Sequence, residues 1–276
     1  MLFRPRIVGV VTGSLRRDEE AWESLARCDW AEFRADTFGT PDQAALPDLL
    51  GALSHFREEA ARRLGRVPET LVTFRLRRDG GEWPDTEAAR RLPAWQALAA
   101  ASDPASRACE WIDVEAEEAG TLPESLRRSL SGAGIKLLLS QHDFRRSYPL
   151  PELRARLRAL LRARPDGVKF ALTCRDEAEV LDLIAYAREV AGAIENGSVF
   201  SMGGPGRATR ALSPLLGCPL TYAFLTGAPV APGQLSARDL RAFYDTAKPA
   251  AVAAASADPR TLLSWAESRL QEIHHA

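Results

Sequence analysis

Two hydrophobic periods alternate along this chain. Short β-branched or aliphatic runs of five to seven residues, each closed by a turn signal or a polar residue, read as buried strands. The longer stretches between them carry apolar residues at every third or fourth position and read as amphipathic helices. Strands are predicted over 7–13, 30–36, 70–75, 111–115, 135–140, 167–172, 198–202 and 220–225. Helices are predicted over 16–27, 42–64, 86–102, 122–131, 151–163, 176–191, 207–216 and 237–245. Eight alternating strand–helix units fit a closed α/β (β/α)8 TIM barrel better than an open doubly wound sheet, and no second domain is needed. The barrel is expected over 1–246. Residues 247–276 form an Ala-rich C-terminal helical extension, with one helix near 260–273 capped by Ser256 or Asp258.

Composition removes several function classes. A 46% hydrophobic content supports a sizeable core, and a net charge of −1 gives no electrostatic case for nucleic acid or an anionic membrane. The pairs Arg62-Arg63 and Arg127-Arg128 read as solvated helix faces. Cys28, Cys109, Cys174 and Cys218 form no close pair, so they signal neither a zinc knuckle nor a redox dithiol and look like apolar fillers in a reducing compartment. With no apolar run of membrane length and no hydrophobic leader, a soluble cytoplasmic protein is expected. His55 reads as a surface or packing residue, and His274 and His275 as terminal ones.

The chemistry concentrates at the strand ends. Strand side chains alternate between faces, so Glu32, Arg34 and Asp36 share a face, as do Thr73 and Arg75, and Asp113 and Glu115. His142 follows the fifth strand, Met202 ends the seventh and Gln234 follows the eighth. Lys169 interrupts an otherwise apolar sixth strand. Of the 36 Lys plus Arg residues only Lys136, Lys169 and Lys248 are lysines. An arginine keeps its proton in a protein, whereas a desolvated lysine can approach neutrality and attack a carbonyl. Taken alone, a strand lysine more often pairs with a carboxylate, and Glu32 with Arg34 would suit a structural plug. A barrel, however, brings all these strand ends to one mouth, and together they are more charge than a plug requires.

With those residues placed, the chain resembles type I 3-dehydroquinate dehydratase, a Schiff-base enzyme of the shikimate pathway. The likeness runs from Ile7 to about Tyr244. It rests on Glu32-Phe33-Arg34-Ala35-Asp36, Thr73-Phe74-Arg75 followed by Asp79-Gly80-Gly81-Glu82, Ile112-Asp113-Val114-Glu115, Ser140-Gln141-His142-Asp143-Phe144, Val168-Lys169, Ser201-Met202-Gly203 with Arg210, and Ala231-Pro232-Gly233-Gln234. Each motif is short, but their order on the expected strands is specific. The resemblance implies dehydration of 3-dehydroquinate to 3-dehydroshikimate through an iminium on Lys169, with His142 moving the protons and no metal or organic cofactor. It assigns the carboxylate beside the histidine to Asp79, where the family usually has glutamate. Glu32, Arg34 and Arg75 would bind the ring-hydroxyl side, Arg210 and Gln234 the substrate carboxylate. A homodimer is implied as well. Further departures are Val230 in place of a substrate-contacting serine, Phe200 in place of a common methionine, and a segment 224–230 about one residue longer than usual.

Two rival readings share parts of this pattern. Another class I Schiff-base enzyme, aldolase-like and acting on a phosphorylated keto compound, would use the glycine-rich loop 203–206 before a helix N-terminus, with Arg210 on the phosphate. A non-catalytic barrel binding a cyclic acid, or a partner protein, would explain the changes at Asp79 and Val230 as decay.

Overall fold

A parallel strand covered on both faces has to be apolar outward and either apolar or paired inward, and the strands here follow that rule. The computed structural model describes residues 5–13, 18–38, 45–102, 107–118, 120, 122–247, 253 and 258–275. Its strands are β1 (Arg6–Val11), β2 (Trp30–Arg34), β3 (Glu69–Thr73), β4 (Trp111–Glu115), β5 (Lys136–His142), β6 (Gly167–Leu172), β7 (Asn196–Ser201), β8 (Leu220–Phe224) and a two-residue β9 (Leu235–Ser236). They form one all-parallel sheet in the order β7-β6-β5-β4-β3-β2-β1-β8-β9. The sheet curls back on itself. Ser198 Oγ of β7 donates to the Leu220 carbonyl of β8 at 2.8 Å, and the Phe200 and Tyr222 rings meet inside the seam at 6.1 Å. The result is the (β/α)8 barrel that the alternation predicts.

The outer layer holds α1 (Glu19–Leu25), α2 (Ala45–Leu64), α3 (Arg91–Ala100), α4 (Glu124–Gly132), α5 (Leu150–Arg162), α6 (Glu177–Ala193), α7 (Thr209–Leu215) and α8 (Ala237–Thr246), with α9 (Pro259–His274) after the barrel. The predicted third helix divides into a 3-10 turn, Asp85–Arg90, and then α3. Pro93 lacks an N–H and is accommodated only in a first helical turn, so the α-helix begins just before it. β5 runs two residues past its predicted end, which puts His142 itself in the ladder opposite Ala171. β9 is too short to leave a period in the sequence. The predicted starts of the first two helices, together with Lys248 and Ser256, lie outside the described residues. Asp258 caps α9 by accepting from the Thr261 N–H at 2.9 Å.

Inside the barrel, alternate residues stack in layers. Trp30 and Trp111, with ring centroids 4.8 Å apart, close the N-terminal end together with Leu71, Leu138 and Leu220. Glu32, Thr73, Asp113, Ser140 and Lys169 follow, all buried, and the layer above opens at the mouth. α9 packs on α8, α6 and α7 through buried Leu262, Leu263 and Ala266, and the Trp265 ring meets Phe243 at 5.5 Å. α9 is therefore docked on the barrel's outer helices. Replacing the fully buried Leu262 by alanine should lower stability by about 3 kcal/mol in urea unfolding. A loss below about 1 kcal/mol would mean that α9 docks without contributing to the core.

Candidate active site

Lys169 owes its position to its neighbours in the ladder. In register beside it stand Ser140 on β5 and Ser198 on β7, two small residues that leave width for its four-carbon stem. The side chain climbs inside the barrel and ends 3.8 Å from the centroid of the Tyr222 ring. Its nearest carboxylate oxygen, Glu32 Oε1, is 3.9 Å from Nζ, beyond hydrogen-bond reach. Burial pushes the amine down to about 8, with Glu32 opposing and Arg75 assisting. Near neutral pH a usable fraction is therefore the free, nucleophilic base.

His142 lies two residues beyond Ser140 on β5, so it shares the face of Lys169 one step nearer the mouth. Its Nδ1 is 3.0 Å from Glu115 Oε1. Burial, followed by the charges of Arg75, Lys169, Arg34 and Arg210, holds the ring well below its ordinary pKa. Arg75 Nη1 lies 3.2 Å from the same Nδ1, so two neighbours compete there, and Nε2 carries the free lone pair in the tautomer whose Nδ1–H faces Glu115.

The cations of the cavity differ in how they are held. Arg75 is fixed on several sides: Nη2 donates to Asp113 at 2.7 Å, Nη1 donates to Ser140 at 3.0 Å and contacts Glu115, and Glu32 lies 3.8 Å away. Arg34 is clamped by Asp36 through two bonds of 2.8 and 2.7 Å. Glu32 in turn accepts from Thr73 at 2.9 Å. Arg210 has no such counterion. It is buried, its Nη2 donates to the Pro232 carbonyl at 2.9 Å, its Nε finds no hydrogen-bond partner, and its guanidinium carbon stands 4.2 Å over the Phe200 ring. Among the described residues no carboxylate pairs with it, and burial together with Arg207 weighs against its charge. A buried cation left without an acid is a seat for an incoming anion. Gln234 lies beside this seat, with its Oε1 accepting from the Val230 N–H at 3.1 Å.

Asp79 lines the same cavity from the 3-10 turn Arg77–Asp79 after β3. Its Oδ2 is buried without a hydrogen-bond partner and 3.6 Å from Arg78 Nε, and burial raises its pKa. Among the described residues no hydrogen bond joins it to His142. The carboxylate nearest the ring is Glu115, which lies in the Ile112-Asp113-Val114-Glu115 motif but to which the resemblance assigned no role. Tyr222 was equally hidden, because an aromatic in a strand reads as core.

Glu32, Arg34, Arg75, Asp79, His142, Lys169, Arg210 and Gln234 thus border one cavity of about 510 Å³, counted to its open mouth, with Phe200, Met202 and Tyr222 as an apolar wall. A larger outer groove between α4 and α5, holding Arg128 and Leu137, contains neither the lysine nor the histidine. A (β/α)8 barrel with such a cavity at the C-terminal end of its strands is a barrel enzyme.

The sequence profile of the family described as type I 3-dehydroquinase matches residues 7–250, and the chain belongs to that family. It is 28% identical over 247 residues to the 3-dehydroquinate dehydratase of Enterococcus faecalis, covering 88% of this chain and 92% of that one. It is 31% identical over 199 residues to the Methanococcoides burtonii enzyme of the same name, covering 70% and 79%. The crystal structure of the Geobacillus kaustophilus 3-dehydroquinate dehydratase superposes with a TM-score of 0.70 at 25% identity, covering 89% of this chain and 93% of that one.

The depressed lysine yields a direct measurement. A small acylating reagent should modify Lys169 with a half-maximal rate near pH 8, because the amine is charged and inert below that value and free above it. Modification that begins only near the ordinary value of 10.5 would show that burial does not tune this group.

Proposed function

We propose that the chain dehydrates 3-dehydroquinate to 3-dehydroshikimate through a Schiff base on Lys169. The observation that carries this reading is a buried amine and a neutral imidazole facing one cavity, beside a buried guanidinium that lacks a counterion. Family membership supplies the substrate.

Arg210 and Gln234 hold the substrate carboxylate, which restores the charge balance that Arg210 lacks. Glu32, Arg34 and Arg75 line the side where the ring hydroxyls lie. The free amine of Lys169 adds to the C3 ketone, and the proton that the ammonium gave up returns as the oxygen leaves as water, so that the product is an iminium that draws electrons from the neighbouring C2–H bond. His142 Nε2 takes that proton while Glu115 steadies the imidazolium through Nδ1. The same ring then delivers the proton to the departing C1 hydroxyl, and hydrolysis of the imine frees the product and the amine. The iminium is itself the electron sink, so the sequence of steps calls for no cofactor. Asp79 borders the cavity, and its Oδ2, which accepts no hydrogen bond, can meet substrate. On the family resemblance we further propose a homodimer working in the cytoplasm.

Borohydride reduction in the presence of 3-dehydroquinate should leave a stable mass adduct on Lys169. Lys169→Ala should lose both the adduct and turnover, and an unmodified lysine in the native chain would sink the reading. His142→Ala should still form the adduct while kcat, followed by absorbance of the conjugated enone, falls by about 10²–10⁴. Near wild-type kcat in that variant would remove the histidine from the mechanism.

The two carboxylates can be ranked in the same assay. Glu115→Gln should lower kcat about tenfold more than Asp79→Asn, because only Glu115 touches the imidazole. The reverse order would return the orienting role to Asp79.

A further inference from the structure

Tyr222 belongs to no motif, yet the reacting nitrogen lies over the face of its ring. The ladder of β8 with β1 sets it opposite Val8, and the Phe200 ring braces it at 6.1 Å and 50°. Lys169 Nζ stands 3.8 Å from the ring centroid and 3.9 Å from its nearest carboxylate oxygen, Glu32 Oε1. The phenolic oxygen is buried and has no hydrogen-bond partner. Burial also keeps the phenol protonated, so the hydroxyl offers no negative charge. What the ring presents to the amine is the electron-rich face, which attracts a cation most strongly when both are out of water.

The charge on this nitrogen changes during the proposed reaction. Ammonium plus ketone gives iminium plus water, so one positive charge is present at the start and at the imine, with a neutral amine between. Desolvation favours the neutral amine and by itself disfavours both cations. Glu32 offers only partial relief, since it already accepts from Thr73 and lies near Arg75. A fixed aromatic face restores the iminium without adding a carboxylate that would hold the resting lysine as an inert ion pair.

Building on the Schiff-base reading, we propose that Tyr222 is a catalytic residue whose ring face, and not its hydroxyl, stabilises the iminium formed on Lys169. Phe200 under the Arg210 guanidinium is the same device applied to a second cation of the cavity, at 4.2 Å. The two rings therefore divide the work. The Tyr222 face governs the chemical step, and the Phe200 face governs the seat of the substrate carboxylate.

The test uses the full chain with 3-dehydroquinate and a series at one position. Tyr222→Phe keeps the face and should retain kcat and borohydride-trapped adduct within about twofold. Incorporating 4-fluoro-, 3,5-difluoro- and pentafluorophenylalanine at position 222 drains the face with little change of shape. Adduct and kcat should then fall stepwise, to roughly tenfold below Tyr222→Phe, while KM stays nearly constant. Matching melting temperatures along the series separate this from misfolding. A flat series, a loss confined to KM, or a Tyr222→Phe variant as poor as the pentafluoro one would overturn the assignment while leaving the proposed function intact. Absence of any adduct in the native chain would overturn both.

Discussion

The constraint on which the rest of this structure depends is that an amine must be taken out of water to become a nucleophile, inside a barrel that tolerates only compensated charge. Lys169 lies in the middle of β6, buried to 5% exposure, with serines on either side of it. Burial of a lone cation costs several kcal/mol, so the surrounding strands must supply counter-charge without delivering it to the nitrogen itself. Arg75 makes that possible. By engaging Asp113 and Glu115 directly it keeps those carboxylates off the lysine, and burial of Asp113 is offset first by Arg75 and then by Lys169. The amine is left with a distant Glu32 and an aromatic face, which is enough to admit it to the core and too little to lock it as an ion.

The same lattice explains why Arg210 stands apart. Arg34 has Asp36, Arg75 has Asp113 and Glu115, and Lys169 has Glu32 nearby. Among the described residues Arg210 has a backbone carbonyl and the Phe200 ring but no acid, so the cavity carries an uncompensated cation at one end. In the proposed function an anionic substrate completes the pairing on arrival, so that binding and charge balance are one event.

Much of the architecture is legible in the sequence because parallel strands covered on both faces announce themselves. β4 and β6 have the predicted limits, and the others shift by one or two residues at an end. The shift that matters is in β5, where Gln141 and His142 look like loop because polar residues at a strand end resemble a turn. The barrel reading gathers Lys169, Glu32, Arg75 and His142 at strand ends, and the structure has them around one cavity, with Lys169 in the middle of its strand. Alternation could not rank the carboxylates near the histidine, because that ranking is set by reach across the barrel and not by spacing along the chain. Nor could it find Tyr222, since a ring facing an amine and a ring facing leucine have the same one-dimensional signature.

The substitution at Asp79 shows how that geometry decides a question the sequence leaves open. A carboxylate one methylene short could still meet the imidazole if loop 77–81 advanced into the cavity. The loop is not free to do so. Leu76 and Trp83 form a bridge, with bonds from Arg77 N–H to the Trp83 carbonyl at 2.9 Å and from Trp83 N–H to the Arg75 carbonyl at 3.1 Å. Gly80 takes a left-handed φ of 81° at the tip, and a Cβ on Gly81 would run into the Arg75 carbonyl. Moving the turn inward would therefore drag Arg75, the residue that holds the charge lattice together. The cheaper solution lies on the next strand, where Glu115 already points into the barrel two residues beyond Asp113 and reaches the histidine without any backbone adjustment. A shortened carboxylate on a rigid turn thus leaves the imidazole to its neighbours across the barrel, Glu115 at 3.0 Å and Arg75 at 3.2 Å from Nδ1.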